Sequence, residues 1–328
     1  MSGPRDALHA FSAAFHRSDQ EAQARAAARF FAPAASVNLV HPINGVVGGE
    51  GFNMAFLTPL QEAFADLTRV DYIAIAGSFE GADWVSNTGY YTGHFHAPFL
   101  GIRPTGTMAH LRFGEFHRIE QGRAVESYVF LDLPELMIAA GQWPITDSPG
   151  VDRGFTGYLP GPTSLNGQQW QNTDPERSAS SYRMVTDMLA RLATPDEAWR
   201  PFWHDDMVWY GPAAFGSSLG IERFAGFQVP FEATFQGWSG GSAGNGMTTH
   251  FTRFGDGDFV CSGGWPALTG VQVKTFLDQP ATGKRVFMRV CDWWSREGDR
   301  LYENWVFVDI PHVLLQLGYD VFAGARTP

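Results

Sequence analysis

The sequence predicts an α+β fold that is built twice in one chain, and three observations carry that prediction. Residues 104–141 recur at 281–318 without a gap: Gly106 and Gly283, Arg112 and Arg289, Glu126 and Glu303, Phe130 and Phe307, Asp132 and Asp309, and Pro134 and Pro311 are each 177 positions apart. One displacement held over so many residue types marks a duplicated unit. Within each copy, segments of helical period come first and segments of strand period follow, the order of α+β domains. A stretch rich in Pro and Gly, 142–174, lies between them. The expected division is therefore a first domain at 1–141, a linker at 142–174 and a second domain at 175–328.

In the first copy, Leu8, Phe11, Phe15, Ala22, Ala26, Ala27 and Phe30 recur at helical spacing. They predict one amphipathic helix over 6–31, or two helices interrupted near Ser18 and Asp19. A short strand at 36–40 ends at His41 and Pro42, just before the turn signal Asn44-Gly45. Phe52, Phe56, Leu60 and Phe64 then step by four, an apolar stripe on a second helix over 49–64. Beyond Asp66, segments 70–75, 84–95, 108–118 and 123–131 are rich in aromatic and β-branched residues and predict strands. A short helix over 134–140 closes the copy at Gly141.

In the linker, Trp143, Phe155, Tyr158 and Trp170 argue for a segment that lies against a domain. The second copy opens on Asp174, a helix cap with Pro175 just inside, and Tyr182, Val185, Met188 and Leu189 form the apolar face. A second helix over 221–235 carries Phe224, Phe227, Phe231 and Phe235, and a glycine-serine loop follows at 237–246. Strands return at 248–254, 259–265, 271–277, 286–295 and 301–308.

Composition narrows the function. Hydrophobic residues make up 44% of the chain, with 11 Trp and 27 Phe, and charged residues 17%, which describes packed cores and not disorder. A formal net charge of -11, with no basic cluster, opposes binding to nucleic acid. Cys261 and Cys291 sit in apolar runs and read as buried thiols. The N-terminus lacks a secretory pattern and no apolar run approaches 18 residues, so no membrane partner and a cytoplasmic location are expected. Nucleotide-binding loops and a nucleophile elbow are absent as sequence patterns.

The helical opening, the Pro-Thr-Gly at 104–106 before the penultimate strand, and Glu-x-aromatic-x-x-x-Asp on the final strand (Glu126, Tyr128, Asp132; Glu303, Trp305, Asp309) together resemble the SnoaL-like polyketide cyclase family. In the second copy the resemblance extends to Trp209-Tyr-Gly-Pro212, Thr282-Gly-Lys284 and Gln316-Leu-Gly318. It implies two tandem NTF2-like domains, each a cone in which N-terminal helices pack in a strongly curved, mostly antiparallel sheet around a pocket. Many relatives are single domains that dimerise, which implies an intramolecular pseudo-dimer here and a possible further homodimer. Thr107 stands where the second copy has Lys284, and His41-Pro42 where it has Gly211-Pro212, so the two pockets are expected to differ.

The chemistry is expected on the last two strands of each copy. A hairpin with its turn at 119–122 would set Glu115 across from Glu126 and Phe113 across from Tyr128; its counterpart would set Asp292 across from Glu303 and Val290 across from Trp305. Opposed carboxylates on an enclosed face push one pKa upward, leaving a base and an acid near neutral pH. That pair of roles serves proton removal next to a carbonyl. Alternation adds Tyr128, Phe130 and Asp132 to the face of Glu126, and Trp305, Phe307 and Asp309 to that of Glu303.

The expected catalytic set is Glu126, Asp132 and His41 in the first copy and Asp292, Glu303 and Asp309 in the second. Glu115, Tyr128, Phe130, Trp209, Trp305 and Phe307 are the expected binding wall, and no cofactor is required. The substrate expected is a small apolar carbonyl compound, turned over by a cyclase, isomerase or hydrolase. Other readings stay open. The acidic residues could be solvated and paired with Arg112, Arg118 or Arg123, leaving a small-molecule-binding module. Asp132 and Asp309 could simply cap the closing helices. His94 and His96, with His41, His110 or His117, could hold a metal.

Overall fold

Two helices form where the sequence carries one long apolar period. Pro4–Ala13 (α1) and Gln20–Phe30 (α2) are separated at 14–19, and the Asp19 side chain begins α2 by accepting the Ala22 N–H at 2.9 Å. The computed structural model describes residues 3–145, 166–192, 196–240 and 247–323. These divide into two compact units, one of 3–143 with 166–172 and 321–323, the other spanning 173–320.

The first unit continues with β1 (Phe31–Leu39) and β2 (Gly45–Val47). Then α3 (Gly48–Phe52), a π-helical turn at Asn53–Leu57 and α4 (Thr58–Ala63) run on without a break. Phe52, Phe56 and Leu60 on this helix are fully buried, as their spacing requires, and each contributes about 1.5–3 kcal/mol by leaving water. The sheet adds β3 (Thr68–Phe79), β4 (Ala82–His94), β5 (Met108–Glu120), β6 (Arg123–Leu131) and β7 (Gly167–Gln168), and α5 (Leu133–Ala139) follows β6. Its order is β2-β1-β6-β5-β4-β3-β7, antiparallel except where β1 meets β6 and β7 meets β3.

The second unit repeats this plan. It contains α6 (Pro175–Leu189), β8 (Trp203–Tyr210), β9 (Ser218–Leu219), α7 (Ile221–Thr234), β10 (Phe235–Gly240), β11 (His250–Asp256), β12 (Phe259–Gln272), β13 (Arg285–Glu297), β14 (Arg300–Val308) and α8 (Ile310–Leu317). The sheet order is β10-β12-β13-β14-β8-β9, with β11 also on β12. The strands β5 and β13, and β6 and β14, begin and end 177 positions apart, so the sequence repeat is a repeat of structure. Both units have the NTF2-like α+β fold, and among the described residues no helix is long and apolar enough to cross a membrane.

Three expectations need correction. Segments 259–265 and 271–277 are not two strands: β12 runs through to Gln272 across a register shift between Gly264 and Leu268, and 273–280 leaves the sheet. Of the linker, 146–165 lies outside the described residues, but Gly167 and Gln168 pair with Ile73 and Ala74 as a strand. The hairpin register also differs. Glu120 pairs with Arg123 around the two-residue turn Gln121-Gly122, both at positive φ, and the register shifts once more between Arg118 and Ile119. The turn moves the pairing by two and the bulge by one, an odd total that sends facing side chains to opposite faces. Glu115 therefore opposes Val129 and Arg118 opposes Glu126, while in the second unit Asp292 opposes Val306 and Ser295 opposes Glu303.

Candidate functional site

The shifted register gives each sheet an interior face toward the helices and an outer face away from them. In the first unit, His117 on β5 meets the rings of Phe11, Phe30 and Phe31 at 6.3, 4.8 and 5.9 Å, so Phe113, Glu115 and His117 face the helices. In the second, Trp209 on β8 packs on Phe224 and Phe227 of α7 at 5.6 and 4.5 Å. Asn304 pairs with both Trp209 and Trp294, which puts Trp294, Asp292 and Ser262 on that interior face as well.

The first unit's interior is closed around an ionic cluster. Arg69 Nη2 lies 2.9 Å from Asp71 Oδ1 and 2.9 Å from Glu115 Oε2, and Nη1 donates to Tyr91 Oη at 3.1 Å. Asn87 Nδ2 donates to Asp71 Oδ1 at 2.6 Å, His117 Nδ1 bonds Ser127 Oγ at 2.9 Å, and the guanidinium lies 4.1 Å from the Phe113 ring centre. Burial would push the Glu115 carboxyl up, but Arg69 and His117 outweigh it and hold Glu115 below its ordinary range. Burial keeps His117 low and neutral against the pull of Glu115. Every member is at most 3% exposed. This is a packed ion cluster with no surface left for a ligand.

The second unit's interior is different. Arg253 on β11, Ser262 on β12 and Asp292 on β13 stand in one row across three neighbouring strands. The Asp292 carboxyl is enclosed by protein, yet the residue keeps part of its surface accessible where Glu115, its counterpart, keeps none. Burial pushes Asp292 up to about 7, against a hydrogen bond from Asn304 and the charge of Arg253. Trp209, Trp294, Phe224 and Phe227 supply an apolar surround. His250, also on β11, is pushed down to about 4 by burial and by Arg253, and is neutral at pH 7.

The remaining expected site residues sit elsewhere. Glu126, Tyr128 and Phe130 lie on the first unit's outer face, where Glu126 accepts from Arg118 Nε at 2.9 Å and from Tyr128 Oη at 2.8 Å. Glu303, Trp305 and Phe307 lie on the second unit's outer face. There Glu303 accepts from Tyr210 Oη at 2.9 Å and Ser295 Oγ at 3.1 Å, Tyr210 stacks on Trp305 at 5.2 Å, and burial outweighs those hydrogen bonds in raising the Glu303 carboxyl. Alternation groups these residues as expected but separates them from Glu115, Asp292 and Trp209.

Asp132 and Asp309 stand at the N-caps of α5 and α8, each beside the arginine of the preceding strand: Arg112 at 3.6 Å and Arg289 at 2.9 Å. Asp309 also accepts the His312 N–H at 3.2 Å. His41 is 9% exposed at the end of β1, its ring 5.8 Å from that of Phe322. His94 bonds Asp66 at 2.7 Å while His117 is in the interior cluster, and among the described residues no three His, Cys, Asp or Glu side chains converge as metal ligands. Sequence reasoning missed Arg69, Asp71, Arg253, Ser262, Trp294 and Asn304. The signal available was a charged residue inside an apolar strand run, as at Arg69-Val-Asp71 and at Arg253 beside Phe254.

Comparison with known proteins bears on the first unit directly: residues 5–139 match the family model of the SnoaL-like polyketide cyclases. The first unit belongs to the SnoaL-like polyketide cyclase family. Solved structures similar to this chain include IdmH of Streptomyces antibioticus, a candidate polyketide cyclase, at 20% identity over 43% of this chain and 99% of that one, TM-score 0.36. A candidate SnoaL-like polyketide cyclase of Jannaschia sp. CCS1 is 24% identical over 42% of this chain and 90% of its own, TM-score 0.35. AclR of Streptomyces galilaeus, a candidate hydroxylase, is 18% identical over 43% and 97%, TM-score 0.36. No curated protein matches the chain. The SnoaL-like unit is thus the one whose interior holds a fully buried ion cluster, and the second unit, built on the same plan, is the one whose corresponding acidic residue, Asp292, keeps part of its surface accessible.

Proposed function

We propose that the second unit is a cofactor-independent acid-base catalyst that moves a proton beside the carbonyl group of a small, largely apolar compound. The observation that carries this reading is Asp292 on an aromatic interior face, its carboxyl raised to about 7 by burial and the residue keeping part of its surface accessible. Such a group is partly ionised and partly protonated at neutral pH, so one residue can take a proton from carbon and return it to carbon or oxygen. Asn304, whose Nδ2 donates to the Trp293 carbonyl at 3.0 Å, lies beside the carboxyl and favours its ionised form, and Trp209 and Trp294 supply flat apolar walls for a ring system. Cyclisation and isomerisation of carbonyl compounds both begin with this proton removal, in keeping with the family of the first unit. That unit serves in this reading as a packed scaffold.

The test is exchange of α-protons of benzo-fused cyclic ketones, 1-indanone and 2-tetralone, in D2O, followed by proton NMR. The wild-type protein should accelerate exchange and Asp292→Asn should abolish the acceleration, while Glu303→Gln should retain it. Equal rates for wild type and Asp292→Asn would remove Asp292 from the chemistry and leave a binding module.

A further inference from the structure

Among the described residues, Arg253 is a cation without a counter-ion in the same interior. It is 6% exposed, and among the described residues its guanidinium has one hydrogen bond, Nε to Ser262 Oγ at 3.2 Å, and no ion pair. The nearest carboxyl whose charge reaches it, Asp292, acts only at a distance. A buried guanidinium left in this state is strongly unfavourable unless a partner arrives. The fold has another way of placing an interior arginine: in the first unit, Arg69 is held between two carboxylates and a tyrosine. In the second unit Arg253 stands at a different point of the sheet, and the counterpart of Glu115, Asp292, does not pair with it. Asp292, the one carboxyl of its row, is two strands away.

We propose that the second unit's interior is built for a ligand that carries a carboxylate, with Arg253 as its counter-ion. The proposal rests on the reading of this interior as the ligand site, and it narrows the substrate to an aromatic oxo acid. The terminal nitrogens of the guanidinium form the fork that pairs with both oxygens of a carboxylate. Adjacent strands stand about 4.8 Å apart, so the backbones at Arg253 and Asp292 are separated by roughly 10 Å with only Ser262 between them. A ligand lying over Ser262 would set its carboxylate at Arg253 and a carbon a few bonds away at Asp292. Neutral His250 beside Arg253 offers one further donor.

The test is a pair of probes of nearly equal shape, naphthalene-2-carboxylate and naphthalene-2-carboxamide, titrated by calorimetry against the full chain. Wild type should bind the carboxylate at least tenfold more tightly. Arg253→Met should erase that preference and Asp292→Asn should keep it. Arg253→Met should also melt no lower than wild type, because it removes an unpaired buried charge; a clear fall in Tm would mark the arginine as structural and overturn the proposal. Equal affinity of the two probes, a preference that survives Arg253→Met, or binding of neither probe would each overturn it too. A carboxylate preference with Asp292-independent exchange would leave the anion site standing and remove the catalytic reading. Asp292-dependent exchange with no preference would do the reverse.

Discussion

Replacing Asp292 with Asn changes how stability depends on pH, in a direction that the structure fixes. A carboxyl whose folded pKa is about 7, against an ordinary 3.8, binds its proton in the folded chain over a range where the unfolded chain has already released it. Stability of the wild type therefore falls as pH rises through that window, and it is flat below it. Three pKa units at 1.36 kcal/mol each make this contribution about 4 kcal/mol. Asn is close in shape to the protonated acid and does not ionise. The two proteins should thus be within about 1 kcal/mol of each other near pH 4. Near pH 8 the variant should be more stable by up to about 4 kcal/mol. Urea unfolding followed by tryptophan fluorescence reads this out, since eight of the 11 tryptophans fall within 173–320. A difference that stays flat across the range would mean that Asp292 titrates normally, and the acid-base argument would fail with it.

Two further substitutions probe the first unit. Arg69→Met leaves Asp71 and Glu115 buried without a cation and should cost about 3–5 kcal/mol, visible as faster hydrogen exchange in β3 and β5; unchanged exchange there would deny the cluster its role. Gly89→Ala would put a Cβ 1.8 Å from the Val70 carbonyl oxygen, a backbone atom that cannot swing away, and should lower stability by about 1–3 kcal/mol or more. Gly45→Ala, whose nearest neighbour would be 3.9 Å away, should be nearly neutral in the same melting experiment.

The fold was legible because it rests on periodicity and on the repeat. The phenylalanine stripe of α3 and α4, the break near Asp19 and the start of α6 at Asp174 all follow from local spacing and capping chemistry. The facing of the final hairpin was not legible. It depends on whether the turn holds two residues or four and on one bulge, and each single-residue slip exchanges the two faces. Counting outward from the wrong turn joined Glu115 to Glu126 and Asp292 to Glu303, when the structure puts the members of each pair back to back. The two interior arginines escaped for related reasons: Glu115, the partner of Arg69, comes from a strand distant in sequence, and Ser262 meets Arg253 only through the register of the β11–β12 hairpin. Asp292 stood among the expected catalytic residues, but its neighbours come from β11 and from the next strand's Asn304, which alternation alone could not supply.

The short strand β7 has a practical bearing on any attempt to isolate the SnoaL-like half. Gly167 and Gln168 lie along the outermost edge of that sheet, on β3, and Gln169 N–H donates to the Ala74 carbonyl at 2.8 Å. A gene fragment cut at Gly141 would strip this cover and leave β3, a twelve-residue strand, with a bare row of donors and acceptors, the usual template for one molecule to zip onto another. A fragment carried through to Asn172 keeps its own hem sewn.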